Sequence, residues 1–251
     1  MGSGKTQTHQ LKNDTMRKQL FILMTGAALF ARPVAIQAQK ADNKLSGKEK
    51  NDGWMLLYDG KTTNGWRAYQ NKPSDGWSIE NGTLYCKENG VQHRADLTTI
   101  AEYADFELAF DWKVAKGANS GLIYRADETH GASYESASEY QLIDDLGYPG
   151  KLEDWQHSGA DYDMHPPTKI ASKPAGEFNH SVIKAKGKHV EHWLNNAKVA
   201  DYEIGTAEWK ALKEKSKWKD IPGWGENASG HICLQDHGGG IWFKNIKLRK
   251  L

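Results

Sequence analysis

Cysteine is scarce in this chain, with two residues in 251, and proline is limited to seven. The two cysteines allow at most one bridge, between Cys86 and Cys233, and only if their strands are neighbours. No HExxH or CxxC pattern occurs, so the close-spaced metal motifs are excluded. Charge of one sign is also lacking. The 33 Lys and Arg are set against 32 Asp and Glu, and no basic run interleaved with aromatics is present. A dedicated nucleic-acid surface is therefore excluded. Long apolar runs are missing too: the longest, residues 20–31, falls short of the ~20 apolar residues that a membrane-spanning helix requires.

What is present divides into four stretches. Met16-Arg17-Lys18, the apolar residues 20–31 and the small-residue run Ala35-Ile36-Gln37-Ala38 predict a secretory signal peptide over 16–38, cleaved after Ala38, with 1–15 an upstream extension. Residues 39–52 are polar with almost no apolar anchors and read as a linker, leaving 53–251 as the body. Export predicts a periplasmic or extracellular protein with no integral membrane segment after cleavage. It also places the mildly acidic mature chain in an oxidising compartment.

The body shows short alternating runs separated by Asp-Gly, Asn-Gly and Gly-rich turns, which predict strands over 54–58, 77–80, 83–86, 106–114, 121–125, 140–144, 181–186, 189–194, 198–202, 230–235 and 241–249. Asn81-Gly82 and Asn195-Asn196 predict two tight hairpins, because each pair tolerates the positive φ angles of a type I′ turn. Residues 206–219 predict the one helix, with Thr206 as its N-cap. This pattern is an all-β sandwich with one short helix in a loop. Residues 147–176 form a long irregular stretch rich in His and aromatics, a length that points to function.

Two strands carry unusual polar residues at every second position. Side chains alternate faces along a strand, so Glu139 shares a face with Gln141, and Gln235 with His237. A carboxylate, two amides and an imidazole differ from the Lys, Thr and Ser of an ordinary solvated face. His237 also precedes Gly238-Gly239-Gly240, where a ligand can approach the backbone closely.

Several motifs resemble those of the 3-keto-disaccharide hydrolase family: Leu57-Tyr58-Asp59-Gly60-Lys61-Thr62 with Gly65-Trp66, Asp105-Phe106-Glu107-Leu108, Ala118 to Arg125, Glu139-Tyr140-Gln141-Leu142-Ile143-Asp144, Lys173 to Asn179, and Leu234-Gln235-Asp236-His237-Gly238 with Phe243 to Ile246. The resemblance spans about 54–251 in order. It implies a concanavalin-like jelly roll of two curved antiparallel sheets with the ligand on the concave side. It also implies cleavage of 3-keto-glycosides, by hydrolysis or a lyase step, with a divalent metal in some members.

A C3 ketone acidifies the C2 proton, and the C1 substituent can then leave; the route needs a base, an electrophile for the C3 oxygen and an acid for the leaving oxygen. His237, Glu139 and Arg125 are the catalytic candidates. Gln141, Asp144, Trp155, Tyr162 and Gln235 are expected to bind a keto-sugar or other saccharide, and Trp224 is a further loop platform. A divalent metal, if used, would draw on Glu139, His157 and His237. A lectin-like module and a conventional glycosidase are the alternatives, the latter requiring two carboxylates on one face.

Overall fold

Alternation of apolar and polar residues is what builds this molecule, and the computed structural model describes Met1 and residues 41–251. The leader over 16–38, its cleavage point and the upstream extension lie outside the described residues. Thirteen strands follow one another: β1 (Met55–Leu56), β2 (Trp66–Ala68), β3 (Trp77–Glu80), β4 (Thr83–Cys86), β5 (Leu97–Thr99), β6 (Phe106–Val114), β7 (Asn119–Ala126), β8 (Glu139–Ile143), β9 (Asn179–Lys186), β10 (His189–Leu194), β11 (Ala197–Glu203), β12 (His231–Leu234) and β13 (Ile241–Lys250). All their pairings are antiparallel. The larger sheet runs β11-β10-β9-β6-β13-β4-β3, with β1 beside β13, and the five-stranded sheet runs β2-β5-β12-β7-β8. The result is a jelly-roll sandwich.

The core lies between the sheets. Phe106, Leu108, Phe110, Trp112 and Val114 of β6 face Leu122 and Tyr124 of β7, Tyr140 and Leu142 of β8, and Ile232 and Leu234 of β12, all buried. Each such side chain contributes about 1.5–3 kcal/mol by leaving water. A bulge at Asn245, with φ 55, shifts the register of β13 so that Phe243 and Ile246 both point inward. Both expected hairpins form, with positive φ at Asn81, Gly82, Asn195 and Asn196.

Four sequence expectations change. The three-residue strands β2 and β5 have no alternation long enough to read. The helix is shorter than 206–219: α2 spans Ala207–Lys213, capped by Thr206 Oγ1, which accepts from Trp209 N at 3.2 Å. Ser216 then turns the chain, donating to Lys213 O and accepting from Trp218 N. Residues 41–52 are attached rather than free. Asn43 donates to Gly82 O at 2.8 Å and exchanges hydrogen bonds with Asn245, and Ser46 caps the short helix α1 (Gly47–Asn51). Polar anchoring of this kind leaves no apolar signature. Finally, Cys86 in β4 and Cys233 in β12 belong to different sheets and are separate buried thiols. Among the described residues no helix is long and apolar enough to cross a membrane.

The long loop is pinned along the edge strand β8. Gly159 N donates to Gln141 O, Gln141 N to Ala160 O, and Tyr162 N to Glu139 O, at 2.9–3.1 Å. His192, fully buried, reinforces this strap. Its Nδ1 lies 3.0 Å from Gly159 O, which can only accept, so Nδ1 carries the proton and Nε2 accepts from Tyr124 OH at 2.9 Å. Burial pulls its pKa down to about 4, against opposing pulls from Asp161 and the Gly159 carbonyl. The stability this neutral imidazole contributes is present above the unfolded pKa near 6.5 and is lost as pH falls through about 4. Unfolding free energy is expected to drop by roughly 3 kcal/mol over that window. Denaturant melts of wild type and His192→Gln test this, since the variant's profile should be flatter there.

Candidate active site

On the outer face of the five-stranded sheet the alternation that sends Tyr140 and Leu142 inward sends Glu139 and Gln141 outward. A small second cluster, Tyr69, Ile123, Ala126, Ala137 and Cys233, packs on that face. Beside it opens a cavity of about 470 Å³, lined by Glu139 of β8, Asn119 of β7, Gln235, Asp236 and His237 after β12, Asp96 before β5, and Tyr69, Tyr134, Tyr162 and Lys217 from the loops.

Glu139 is 4 % exposed, and its carboxylate has no hydrogen-bond or ion-pair partner among the described residues. Burial pushes its pKa up to about 8; the ammonium of Lys217 opposes this, and Asp96 and Asp161 add to it. The side chain lies over Gly121, where an added Cβ would come 2.1 Å from Glu139 Oε1. Glycine at this otherwise ordinary strand position is what leaves room for the acid.

Lys217 stands at the rim, held by its backbone N–H donating to Asp163 Oδ2 at 2.8 Å. The residue is exposed, but its Nζ is turned over aromatic rings, 4.2 Å from the centroid of Trp218, 4.3 Å from Tyr162 and 5.6 Å from Tyr134. The amine has no hydrogen bond or ion pair among the described residues. Burial pushes its pKa down, and Glu139 pushes it back up. A stack of three indoles supports this turn: Trp218 on Trp224 at 4.8 Å, and Trp224 on Trp209 at 6.2 Å. Trp218 Nε1 also donates to Tyr162 O at 3.2 Å.

The other polar groups are partly committed. Asp96 accepts from Ser133 Oγ and, at 2.9 Å, from Asp236 N; burial raises its pKa. Asp236, its side chain buried, accepts from Arg94 Nη1 at 2.6 Å. His237 is exposed, with Nε2 3.4 Å from Asn119 Nδ2. Gln235 Oε1 and Asn119 Oδ1 are buried without a partner among the described residues. Two unmet acceptors at a cavity suit a ligand rich in hydroxyl donors.

The structure thus brings Glu139, Gln235, Tyr162 and His237 to one cavity, and it places six expected residues elsewhere. Arg125, at φ 59 beside a bulge in the β12 pairing, turns away to donate to Ala104 O, Gly187 O and Asp105. Gln141 is covered by the loop, its Oε1 accepting from Leu142 N at 3.2 Å. Asp144 caps a turn by accepting from the N–H groups of Gly117, Leu146 and Gly147. Trp155 packs edge-on against Tyr162 at 5.0 Å and supports it from behind the cavity wall. Trp224 is buried in the indole stack.

His157 is the sixth. Its Nδ1 pairs with Asp145 Oδ1 at 2.9 Å, so Glu139, His157 and His237 do not converge as a donor set for a metal. Among the described residues the one His, Asp and Glu group close enough to hold an ion is His189, Glu191 and Asp201. It lies on the outer face of the larger sheet, where Lys198 already bridges Glu191 and Asp201.

Sequence reasoning missed Lys217, Asp96 and Asn119. Lys217 belongs to the run Lys213-Glu214-Lys215-Ser216-Lys217-Trp218-Lys219, where nothing distinguishes one lysine from the next except the neighbouring tryptophan.

Comparison with known proteins gives concordant results. A 3-keto-disaccharide hydrolase of Bacteroides thetaiotaomicron is 34% identical over 230 residues, covering 80% of this chain and 79% of that protein. A crystal structure from Parabacteroides distasonis, described as a candidate glycosyl hydrolase, superposes with a TM-score of 0.78 at 37% identity, covering 84% of this chain and all of the other. A second such structure from the same organism gives 0.56 at 28% identity, covering 75% of this chain and all of the other. Residues 53–249 match the family model itself, and the chain belongs to the 3-keto-alpha-glucoside-1,2-lyase-like domain family.

Proposed function

We propose that this protein is a secreted enzyme that cleaves the glycosidic bond of 3-keto-glycosides, with Glu139 taking the C2 proton. The relative from Bacteroides thetaiotaomicron carries the name of that substrate class. The observation that carries the proposal is the state of Glu139: buried, unbonded, facing the cavity, and with burial holding its pKa at about 8. A base works best when its pKa lies near the operating pH. Lys217 is the cation beside it, placed to act on the C3 oxygen. His237 at the rim protonates the departing C1 oxygen, and water then adds to give net hydrolysis. Gln235 and Asn119 accept from sugar hydroxyls.

A conventional glycosidase needs a second carboxylate free to act as nucleophile or base. Two other acids line the cavity: both oxygens of Asp96 are engaged by Ser133 and Asp236 N, and Asp236 is held by Arg94 Nη1 at 2.6 Å. A lectin would need no titrating acid. The secretory leader expected over 16–38 supports an activity outside the cytoplasm.

The test is turnover of matched glucosides and their 3-keto forms by the purified protein, run in D2O. The 3-keto forms are expected to react at least ~100-fold faster, and deuterium is expected at C2 of the product. Equal cleavage of the unoxidised glucosides would remove the C2-proton route, and binding without turnover of either would favour the lectin.

A further inference from the structure

We propose that Lys217 acts covalently, its amine condensing with the C3 ketone of the substrate to form an iminium that serves as the electron sink for the C2 proton transfer. The inference rests on the keto-glycoside reading above and goes beyond it by replacing a spectator cation with a bonded one.

The geometry separates the two roles. Lys247 is held by a carboxylate, that of Glu49, and Lys72 at the same cavity by a carbonyl oxygen, Gly131 O at 2.6 Å. Lys217 has neither among the described residues. Its amine instead lies 4.2 Å from the ring centroid of Trp218, 4.3 Å from Tyr162 and 5.6 Å from Tyr134, which withdraw it in part from water at the cavity rim. Removal of water favours the neutral amine, the nucleophilic form, and burial does push this amine's pKa down. Two acids act on it, Glu139 first and then Asp163, and burial holds Glu139 mostly protonated at neutral pH. An amine with no carboxylate or carbonyl partner and a buried carboxylic acid, on the wall of one cavity, supply the components for imine formation with a ketone.

The steps balance. The amine adds to C3, and the carbonyl oxygen leaves as water, taking one N–H hydrogen and the Glu139 proton. The carboxylate so formed removes the C2 proton, and the C2–H electron pair becomes the C2=C3 bond of an enamine. The enamine expels the C1 oxygen, which takes a proton from His237, leaving a C1=C2 double bond conjugated to the iminium. One water adds across C1 and C2, a second releases C3 as the ketone, and the amine is restored. Two waters enter and one leaves, which is net hydrolysis, and no oxidant is needed. Glu139 first gives a proton and then takes one, a double duty that suits an acid titrating near neutrality.

The test is reductive trapping. Wild-type protein turning over a 3-keto-glucoside in sodium cyanoborohydride is expected to lose activity with time and to gain one sugar-derived adduct, mapped by peptide mass spectrometry to Lys217. Lys217→Arg keeps the charge and cannot form an imine; its kcat is expected to fall at least ~10³-fold with an unchanged melting temperature. Turnover without an adduct, an adduct on another lysine, or a Lys217→Arg variant within about tenfold of wild type would overturn the covalent role while leaving the Glu139 reading intact. Absence of any turnover of 3-keto-glucosides by the wild type would overturn both.

Discussion

Replacing Glu139 by Gln is expected to lower kcat/KM by about 10²–10⁴-fold, the range for loss of a positioned base, while making the protein more stable in alkali. The two effects have one cause. In the unfolded chain the carboxyl ionises near 4.5, whereas in the folded protein burial holds it protonated up to about 8. A raised folded pKa means that stability is fully present below 4.5 and is lost as pH climbs through 8. At roughly 1.4 kcal/mol per pKa unit, the cost approaches an upper bound of about 5 kcal/mol above pH 8. Gln fills the same space without a charge, so the melting temperatures of the two proteins should coincide near pH 4 and diverge in favour of the variant toward pH 9. With Glu139 acting as base alone, wild-type turnover should rise with pH toward 8; with the iminium route, which first draws on the Glu139 proton, it should fall again above that pH. A variant that kept its activity, or gained no stability in alkali, would dissociate Glu139 from this role.

Gly121→Ala is expected to cost nearly as much activity with far less effect on the fold. The added methyl would lie 2.1 Å from Oε1, 2.6 Å from Cδ and 2.7 Å from Cγ of Glu139. Gly121 has no positive φ, so the backbone accepts Ala and only the acid has to move. Displacing a catalytic group by about 1 Å typically costs on the order of 10²-fold. In the background of Glu139→Gln the same substitution should add little, because the group it disturbs is already inactive. Measuring kcat/KM for the two single variants and the double variant settles this. Multiplicative losses in the double variant would mean that Gly121 acts through something other than Glu139.

The strands were legible because their signal is local. Alternation in 106–114 and Asn-Gly at the first hairpin are properties of the segment alone, and the structure agrees at both. Site membership was legible only where it followed from the same parity. Glu139 and Gln235 reach the cavity because they lie opposite Tyr140 and Leu234. Arg125 follows the parity argument but is turned by a bulge and a left-handed backbone, neither visible in Leu122-Ile123-Tyr124-Arg125. Asp144 and His157 are polar residues in a loop, and whether such a residue caps a turn or faces a ligand depends on where the loop folds back. Lys217 is the extreme case. Its role comes from an indole stack between residues that the chain separates and from a carboxylate on a strand more than seventy positions earlier.

The placement of β13 governs how this chain can fold at all. It is the last strand, Ile241–Lys250, yet it lies in the middle of the larger sheet between β6 and β4, and it also pairs β1. A nascent chain lacking it has a gap where its main core strand belongs, with Leu84, Leu108 and Phe110 uncovered on either side. Such non-local pairing makes for slow closure. The larger sheet therefore cannot close strand by strand in chain order; the sandwich is complete only when Ile241–Lys250 are available to pair β6, β4 and β1.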